Sequence, residues 1–224
     1  MSIRSLCRLP ASVHAVTFDV GGTLVAPNPS VGAVYSEVLA SHGIAADPDR
    51  IEDDFRAAFQ RHATTLPTSD EVFWKRVFRD ACASARMSEN LFAPAFAAAY
   101  DAFAKGRAWR LLDGAEEVLD FLKARGYRLA VLSNSDSRFR TVLADHGLDT
   151  FFEQCFLSGE IGYEKPDSRI FRHAESVLGL APRQILHIGD SRPADAEGAA
   201  AAGWNACLLD PPRTSLRSLL HSNS

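Results

Sequence analysis

Asp19, Ser133, Lys165, Asp190 and Asp195 have residue types and settings that suit chemistry on an anion. Asp19 closes the apolar run "AVTF" and is followed by Gly21, Gly22 and Thr23. Ser133 opens "SNSD", Lys165 sits in "GYEKPD", and Asp190 and Asp195 bracket "DSRPAD". Three carboxylates brought to one place repel: at an effective dielectric of 20, two charges 4 Å apart cost about 4 kcal/mol. A divalent cation offsets that repulsion, and hard oxygen ligands suit magnesium. Lys165 adds one positive charge of the kind a phosphoryl group requires. Taken singly these residues have plainer readings. An aspartate at a strand end is more often a cap or turn residue, and Lys165-Pro166 alone reads as a solvated turn. His173 on a helix and His187 inside a strand, beside Ile185 and Ile188, read as structural. Only the joint set outweighs those readings.

The set must be positioned by elements that end together. From residue 112 onward the texture alternates: "GAEEVLDFLKARG" reads as a helix stopped by Gly126, "YRLAVLS" as a strand, and "SRFRTVLADHG" as a helix. "FEQCFLS" follows as a strand, "DSRIFRHAESVLGL" as a helix, "QILHIGD" as a strand, "PADAEGAAAAG" as an Ala-rich helix and "WNACLLD" as a last strand. The tail "TSLRSLLHSNS" predicts a final helical turn and then fraying. Alternation of this kind predicts an α/β fold, a Rossmann-like parallel sheet with helices on both faces. Asp19, Ser133, Lys165 and Asp190 then all fall at or after strand ends, where ligands bind in such sheets. Residues 28–110 differ. They carry apolar residues three and four apart with almost no β-branched runs, and Phe96, Tyr100 and Phe103 form one helical stripe. The expected organisation is a core of residues 1–27 and 111–224 with an inserted α-helical cap at 28–110.

The bulk composition narrows the function classes. A net charge of −4 gives no broad basic field for nucleic acid and no polybasic patch for a membrane. The N-terminal apolar run is broken by Arg8, Pro10 and His14, which argues against a signal peptide or a membrane span. Cys7, Cys82, Cys155 and Cys207 form no CxxC pair, so neither a zinc site nor a disulfide framework is expected, and a cytoplasmic setting is. Oligomeric state has no signature in the sequence.

The ordered set D-x-x-G-T, S-N, K-P and G-D-x-x-x-x-D resembles the haloacid dehalogenase superfamily, subfamily I, in which a helical cap is inserted after the first motif. "SNSDSRF", "GYEKPDSRIF" and "HIGDSRPADAEGAAAAG" look close to its "domain-containing" hydrolase branch. The resemblance covers essentially the whole chain. It implies a hydrolase acting on a small phosphorylated substrate, with Asp19 as nucleophile forming an aspartyl phosphate. It also implies Mg2+ held by Asp19, the Gly21 carbonyl and Asp190. Gly22, Ser133, Asn134 and Lys165 would hold the phosphoryl group, with Thr23 and Asp195 in support.

One position departs from that pattern. In the phosphatase motif D-x-D-G-T, a second aspartate protonates the leaving oxygen and later deprotonates water; here that place is Gly21. Loss of general acid–base help is typically worth about 10²–10⁴ in rate. Glu37, His42 or His62 in the insert could supply the proton, the leaving group could need none, or the protein could bind with little turnover. Haloacid dehalogenases also lack the second aspartate but do not use magnesium, which Asp190 and Asp195 suggest. Phosphonatases need a cap lysine, and Lys75 and Lys105, the lysines of the insert, have no recognisable context. "DVGGTL" resembles a sugar-kinase phosphate loop as well, but a turn and helix follow it where that fold needs a second strand. The reading is a Mg2+-dependent phosphatase-like hydrolase; the rival is a non-catalytic or weakly active binding protein on the same fold.

Overall fold

A computed structural model describes residues 9–63, 65, 67–210 and 214–221. The stretch 1–8, on which part of the signal-peptide reading rests, and the last three residues lie outside them. The chain divides into two compact units, Met1–Ala26 with Leu111–Ser224, and Pro27–Arg110.

The first unit is built on strands β1 (Ala15–Phe18), β4 (Arg128–Ser133), β5 (Gln154–Leu157), β6 (Ile185–Gly189) and β7 (Asn205–Leu208). They pair in the order β5-β4-β1-β6-β7, and each pairing is parallel. The central strands β1, β4 and β6 are short apolar runs buried almost throughout, the pattern that parallel sheets require, while the edge strands β5 and β7 are partly exposed. The chain moves outward from β1 through β4 to β5, then returns to β6 on the other side. The carboxyl end of β1 is therefore the point where strand order reverses, the usual place for a ligand crevice. Short strands β2 (Val25–Pro27) and β3 (Trp109–Leu111) pair separately.

Helices α5 (Ala115–Ala124), α6 (Arg138–Asp145), α7 (Ser158–Ile161), α8 (Ser168–Leu178), α9 (Gly198–Ala201) and α10 (Leu216–His221) complete this unit. Helix α8 starts at Asp167, whose carboxylate accepts from the Arg169 amide, and it stops at Gly179 in the left-handed region. It buries Ile170, Phe171, Ala174 and Leu178 against Ala15, Ala130, Leu132 and Ile185 of the sheet. Each large apolar side chain so buried contributes roughly 1.5–3 kcal/mol.

One detail differs from the sequence reading. The Ala-rich helix is split: Arg192–Glu197 form a π-helical turn and only Gly198–Ala201 are α-helical. That wide turn carries Asp195 inward, where its carboxylate meets Lys165. The final helical turn expected in the tail is present as α10, which packs on α5, buries Leu216 and Leu219, and pairs Arg217 with Asp113 and Glu117; the fraying expected beyond it falls outside the described residues. Among the described residues, no helix is long and apolar enough to cross a membrane.

The second unit consists of α1 (Val31–Ser41), α2 (Pro48–His62), α3 (Glu71–Ala81) and α4 (Glu89–Ala102). Its core joins Tyr35, Leu39, Ile51, Phe78, Phe92 and Phe96, with Tyr100 and Phe103 packed against them. The Tyr35 and Phe78 rings meet edge to face at 4.9 Å. The stripe noted in the sequence is thus core packing. Ser30, Asp47 and Asp70 cap α1, α2 and α3 through their side chains.

Candidate active site

Strand register decides which side chains meet at the end of β1. Thr17 stands opposite Ala130 on one side and His187 on the other. With a period of two, Asp19 falls on the same face as Thr17, one pleat further along. The Asp19 amide donates to the Ile188 carbonyl at 2.9 Å, which ties the first residue after β1 to β6.

Lys165 is the centre of the cluster. Its Nζ, almost wholly buried, donates to Asp19 Oδ1 at 2.9 Å, the Leu132 carbonyl at 2.7 Å and Asp195 Oδ1 at 2.6 Å. An ammonium has three N–H donors, so all three are used. Burial works against its charge, but the carboxylates of Asp19 and Asp195 outweigh burial and raise its pKa above the ordinary lysine value. Asn134 fixes the backbone of the same residue: its Oδ1 accepts from the Lys165 amide at 2.7 Å, and its Nδ2 donates to the Lys165 carbonyl at 2.7 Å. Grouped on resemblance with the phosphoryl-holding residues, Asn134 uses its side chain here as a clamp between the loop after β4 and the loop of Lys165.

Asp195 is equally committed. Its Oδ1 accepts from Lys165 and from His187 Nε2 at 3.0 Å, and its Oδ2 accepts from the Ser191 amide at 2.8 Å. Burial opposes its charge; the Lys165 ammonium and the His187 donor more than offset this and hold the carboxyl well below the usual carboxylate range. Gly189 makes the approach possible, since a Cβ there would lie 2.2 Å from Asp195 Cγ.

Asp190 is the most open of the three acids. Its Oδ1 accepts from Thr23 Oγ1 at 3.3 Å, so Thr23 acts on Asp190 as well as on the loop it belongs to. Desolvation of this carboxyl, and then the negative charges of Asp19 and Asp195, raise its pKa from 3.8 to about 6. Gly22 is required beside it: its φ is 85°, and a Cβ would lie 2.4 Å from Asp190 Oδ2. Gly21 has no such requirement. Its φ is not positive, and a Cβ would find only Phe139 Cζ at 3.8 Å.

Ligand atoms of Asp19, Asp190 and Asp195 lie within 4.8 Å of one another. This is a hard-oxygen set with one ammonium opposite, and its open member has a carboxyl group that resists ionisation without a counter-charge. It fits a small divalent cation. Ser133 is buried at the end of β4. Two residues on, Ser135 Oγ is a buried side-chain atom without a hydrogen-bond partner among the described residues. A hydroxyl in that state, on the loop after β4, suits an incoming oxygen ligand.

Two of the insert residues considered as proton donors, His42 and His62, are engaged locally. His42 Nδ1 lies 2.9 Å from the Val38 carbonyl at the end of α1, and His62 Nε2 lies 2.9 Å from Asp80 Oδ2. Lys75 lies over the Phe96 ring, and Lys105 pairs with Asp101. His187, structural by its sequence context, has a larger part than that context suggests. The structure places it fully buried between Thr17 and Asp195, inside the charged network. The signal in the sequence is a polar, titratable residue within a run otherwise apolar, three positions before Asp190.

Comparison with known proteins gives the family of the chain. A family model described as haloacid dehalogenase-like hydrolase matches residues 13–203. The human haloacid dehalogenase-like hydrolase domain-containing protein 3 is 30% identical over 217 residues, covering 90% of this chain and 83% of that protein. A Haemophilus somnus protein described as a predicted phosphoglycolate phosphatase superposes with a TM-score of 0.67 at 25% identity, over 89% of this chain and 86% of its own. The Bacillus subtilis protein YfnB, solved bound to magnesium, shares the fold with a TM-score of 0.78 at 20% identity, over 93% of this chain and 97% of its own. The chain belongs to the haloacid dehalogenase-like hydrolase family.

Proposed function

We propose that this hydrolase is a magnesium-dependent phosphatase of the cytoplasm, acting on a small phosphorylated metabolite through a covalent phosphoryl group on Asp19. The observation that carries the reading is the double ion pair of Lys165, which holds Asp19 and Asp195 on one buried ammonium with Asp190 beside them. Likeness to a protein described as a phosphoglycolate phosphatase supports phosphoryl chemistry.

In the first step an Asp19 carboxylate oxygen attacks phosphorus, and the bond from phosphorus to the leaving oxygen breaks with its electron pair on that oxygen. In the second, water attacks the aspartyl phosphate, releasing inorganic phosphate and regenerating Asp19. Lys165 neutralises charge on the transferring group and orients Asp19. Ser133, with the backbone around Gly22 and Asn134, receives phosphoryl oxygens, and the unpartnered Ser135 hydroxyl is suited to join them. Asp19, the Gly21 carbonyl and Asp190 would hold magnesium, which when bound would draw charge from the phosphoryl oxygens. Asp195, saturated by Lys165, His187 and the Ser191 amide, supports this set from behind.

Gly21 offers no proton to the leaving oxygen. Turnover of alkyl phosphate esters is therefore slow, and substrates with better leaving groups, such as acyl phosphates, are preferred. The same glycine favours a second reading, phosphate binding with negligible turnover. A screen of metabolite phosphates with magnesium, run beside Asp19→Asn, decides between them. Phosphate release that needs both magnesium and Asp19 supports the enzyme. Activity persisting in Asp19→Asn would be contamination, and none in either protein would leave the binding reading.

A further inference from the structure

His187 and Thr17 belong to neighbouring strands and stand opposite one another in the parallel ladder. Both are fully buried. Burying an imidazole without hydrogen bonds costs a few kcal/mol, so the partners of its two nitrogens matter. Nδ1 lies 2.8 Å from Thr17 Oγ1, and Nε2 lies 3.0 Å from Asp195 Oδ1.

The proton positions follow from the partners. Asp195 is ionised and can only accept, so Nε2 must carry the proton and donate to it. The Thr17 hydroxyl lies 2.8 Å from Nδ1 and 3.5 Å from the Leu186 carbonyl; it donates to the nearer acceptor, so Nδ1 keeps its lone pair. Lys165 Nζ also lies 3.4 Å from Nε2, but its three N–H groups already point to Asp19, Leu132 and Asp195 at shorter distances. It has no proton left for the ring, which agrees with Nε2 as a donor. The Phe171 ring meets the imidazole edge to face at 6.4 Å and closes its remaining side.

We propose that His187 is a positioning residue: held by Thr17 as the neutral Nε2–H tautomer, it fixes the Asp195 carboxylate and so sets the direction in which Lys165 reaches Asp19. Asp195 Oδ1 receives two donors, one mobile and one rigid. A lysine side chain has four rotatable carbon–carbon bonds, whereas the imidazole is locked between two strands. The rigid donor decides where the oxygen lies, and the ammonium follows it. Nothing else among the described residues donates a side-chain hydrogen bond to that oxygen.

The first readout is the 15N–1H signal of the Lys165 ammonium, recorded without substrate. Burial slows its exchange with water enough for a resolved resonance in the wild type. His187→Leu is expected to broaden or shift that signal. His187→Gln, whose amide nitrogen reaches about as far as Nε2, is expected to keep it. Thr17→Val, which leaves the ring but removes its hydroxyl partner, should move it in the same direction as His187→Leu; it carries the decision alone if that variant does not fold. The second readout rests on the proposed phosphatase reading: kcat should fall about 10–100-fold in His187→Leu, as for other residues that orient a functional group from behind. KM should hold nearly constant, and His187→Gln should recover most of the loss. A Lys165 signal identical to wild type in both His187→Leu and Thr17→Val overturns the proposal. Because that signal is read without substrate, it decides the role of His187 even where the phosphatase reading fails.

Discussion

At Gly21 a side chain would have room: its φ is not positive and the nearest atom to a Cβ is Phe139 Cζ at 3.8 Å. Gly21→Asp should therefore fold and supply the absent proton-transfer group. Turnover of a generic phosphomonoester is expected to rise at least tenfold, about 1.4 kcal/mol of barrier. A folded, magnesium-binding variant with no gain, measured beside its melting temperature, would show that the proton path lies elsewhere. The neighbouring acid sets a pH dependence. Asp190 has a folded pKa of about 6 against an ordinary 3.8. A raised carboxyl pKa means that the folded state binds the proton more tightly than the unfolded chain. Its contribution to metal-free stability is thus present below about pH 4 and lost as pH rises through 6. Asp190→Asn removes that loss. Melting temperatures in chelator should show the variant gaining on the wild type across this window, and a constant difference would refute the sign.

The turn from β1 to β2 is the element on which the site depends most closely. It places Gly22 at φ 85° with its amide on the Val25 carbonyl at 2.8 Å, and it brings Asp19 and Thr23 beside Asp190. Gly22→Ala adds about 1–2 kcal/mol for a left-handed L-residue and forces a methyl group onto the Asp190 carboxylate. Gly21→Ala does neither. The expected result is a marked fall in both melting temperature and divalent-ion affinity for Gly22→Ala, with Gly21→Ala close to wild type in each. Equal effects at the two positions would mean that the turn is not shaped as described. The π-helical turn at Arg192–Glu197 has a comparable role, since its geometry brings Asp195 within reach of Lys165, His187 and the Ser191 amide.

Each of the two compact units has a core of its own. In residues 27–110 that core is aromatic, and Phe78 is fully buried at its centre, against Tyr35, Phe92 and Phe96. Phe78→Ala should cost about 3–5 kcal/mol within that unit. Hydrogen exchange is expected to accelerate across α1 to α4, while β1, β4 and β6 keep their protection. Uniform acceleration through both units would instead show one cooperative structure.

The alternation of strand and helix after residue 112 is sufficient to identify a parallel sheet, because period-two and period-3.6 patterns are local properties of the chain. Spacing and residue type likewise single out Asp19, Lys165, Asp190 and Asp195, since polar residues at the ends of apolar runs stand out without any knowledge of packing. What is illegible in the sequence is non-local. Which of two adjacent glycines is constrained depends on where the Asp190 carboxylate lies, a residue 168 positions beyond Gly22 in the numbering. The split of the Ala-rich helix, whose π-helical turn brings Asp195 to Lys165, is not visible in helical periodicity. His187 reads as one more residue of a buried strand, because its meaning comes from the register that sets it opposite Thr17. Sequence determines which groups are available and roughly which elements carry them. The tertiary structure alone decides which of them share a proton or a charge, because hydrogen bonds and buried ion pairs act over about 3 Å between residues that the chain places far apart.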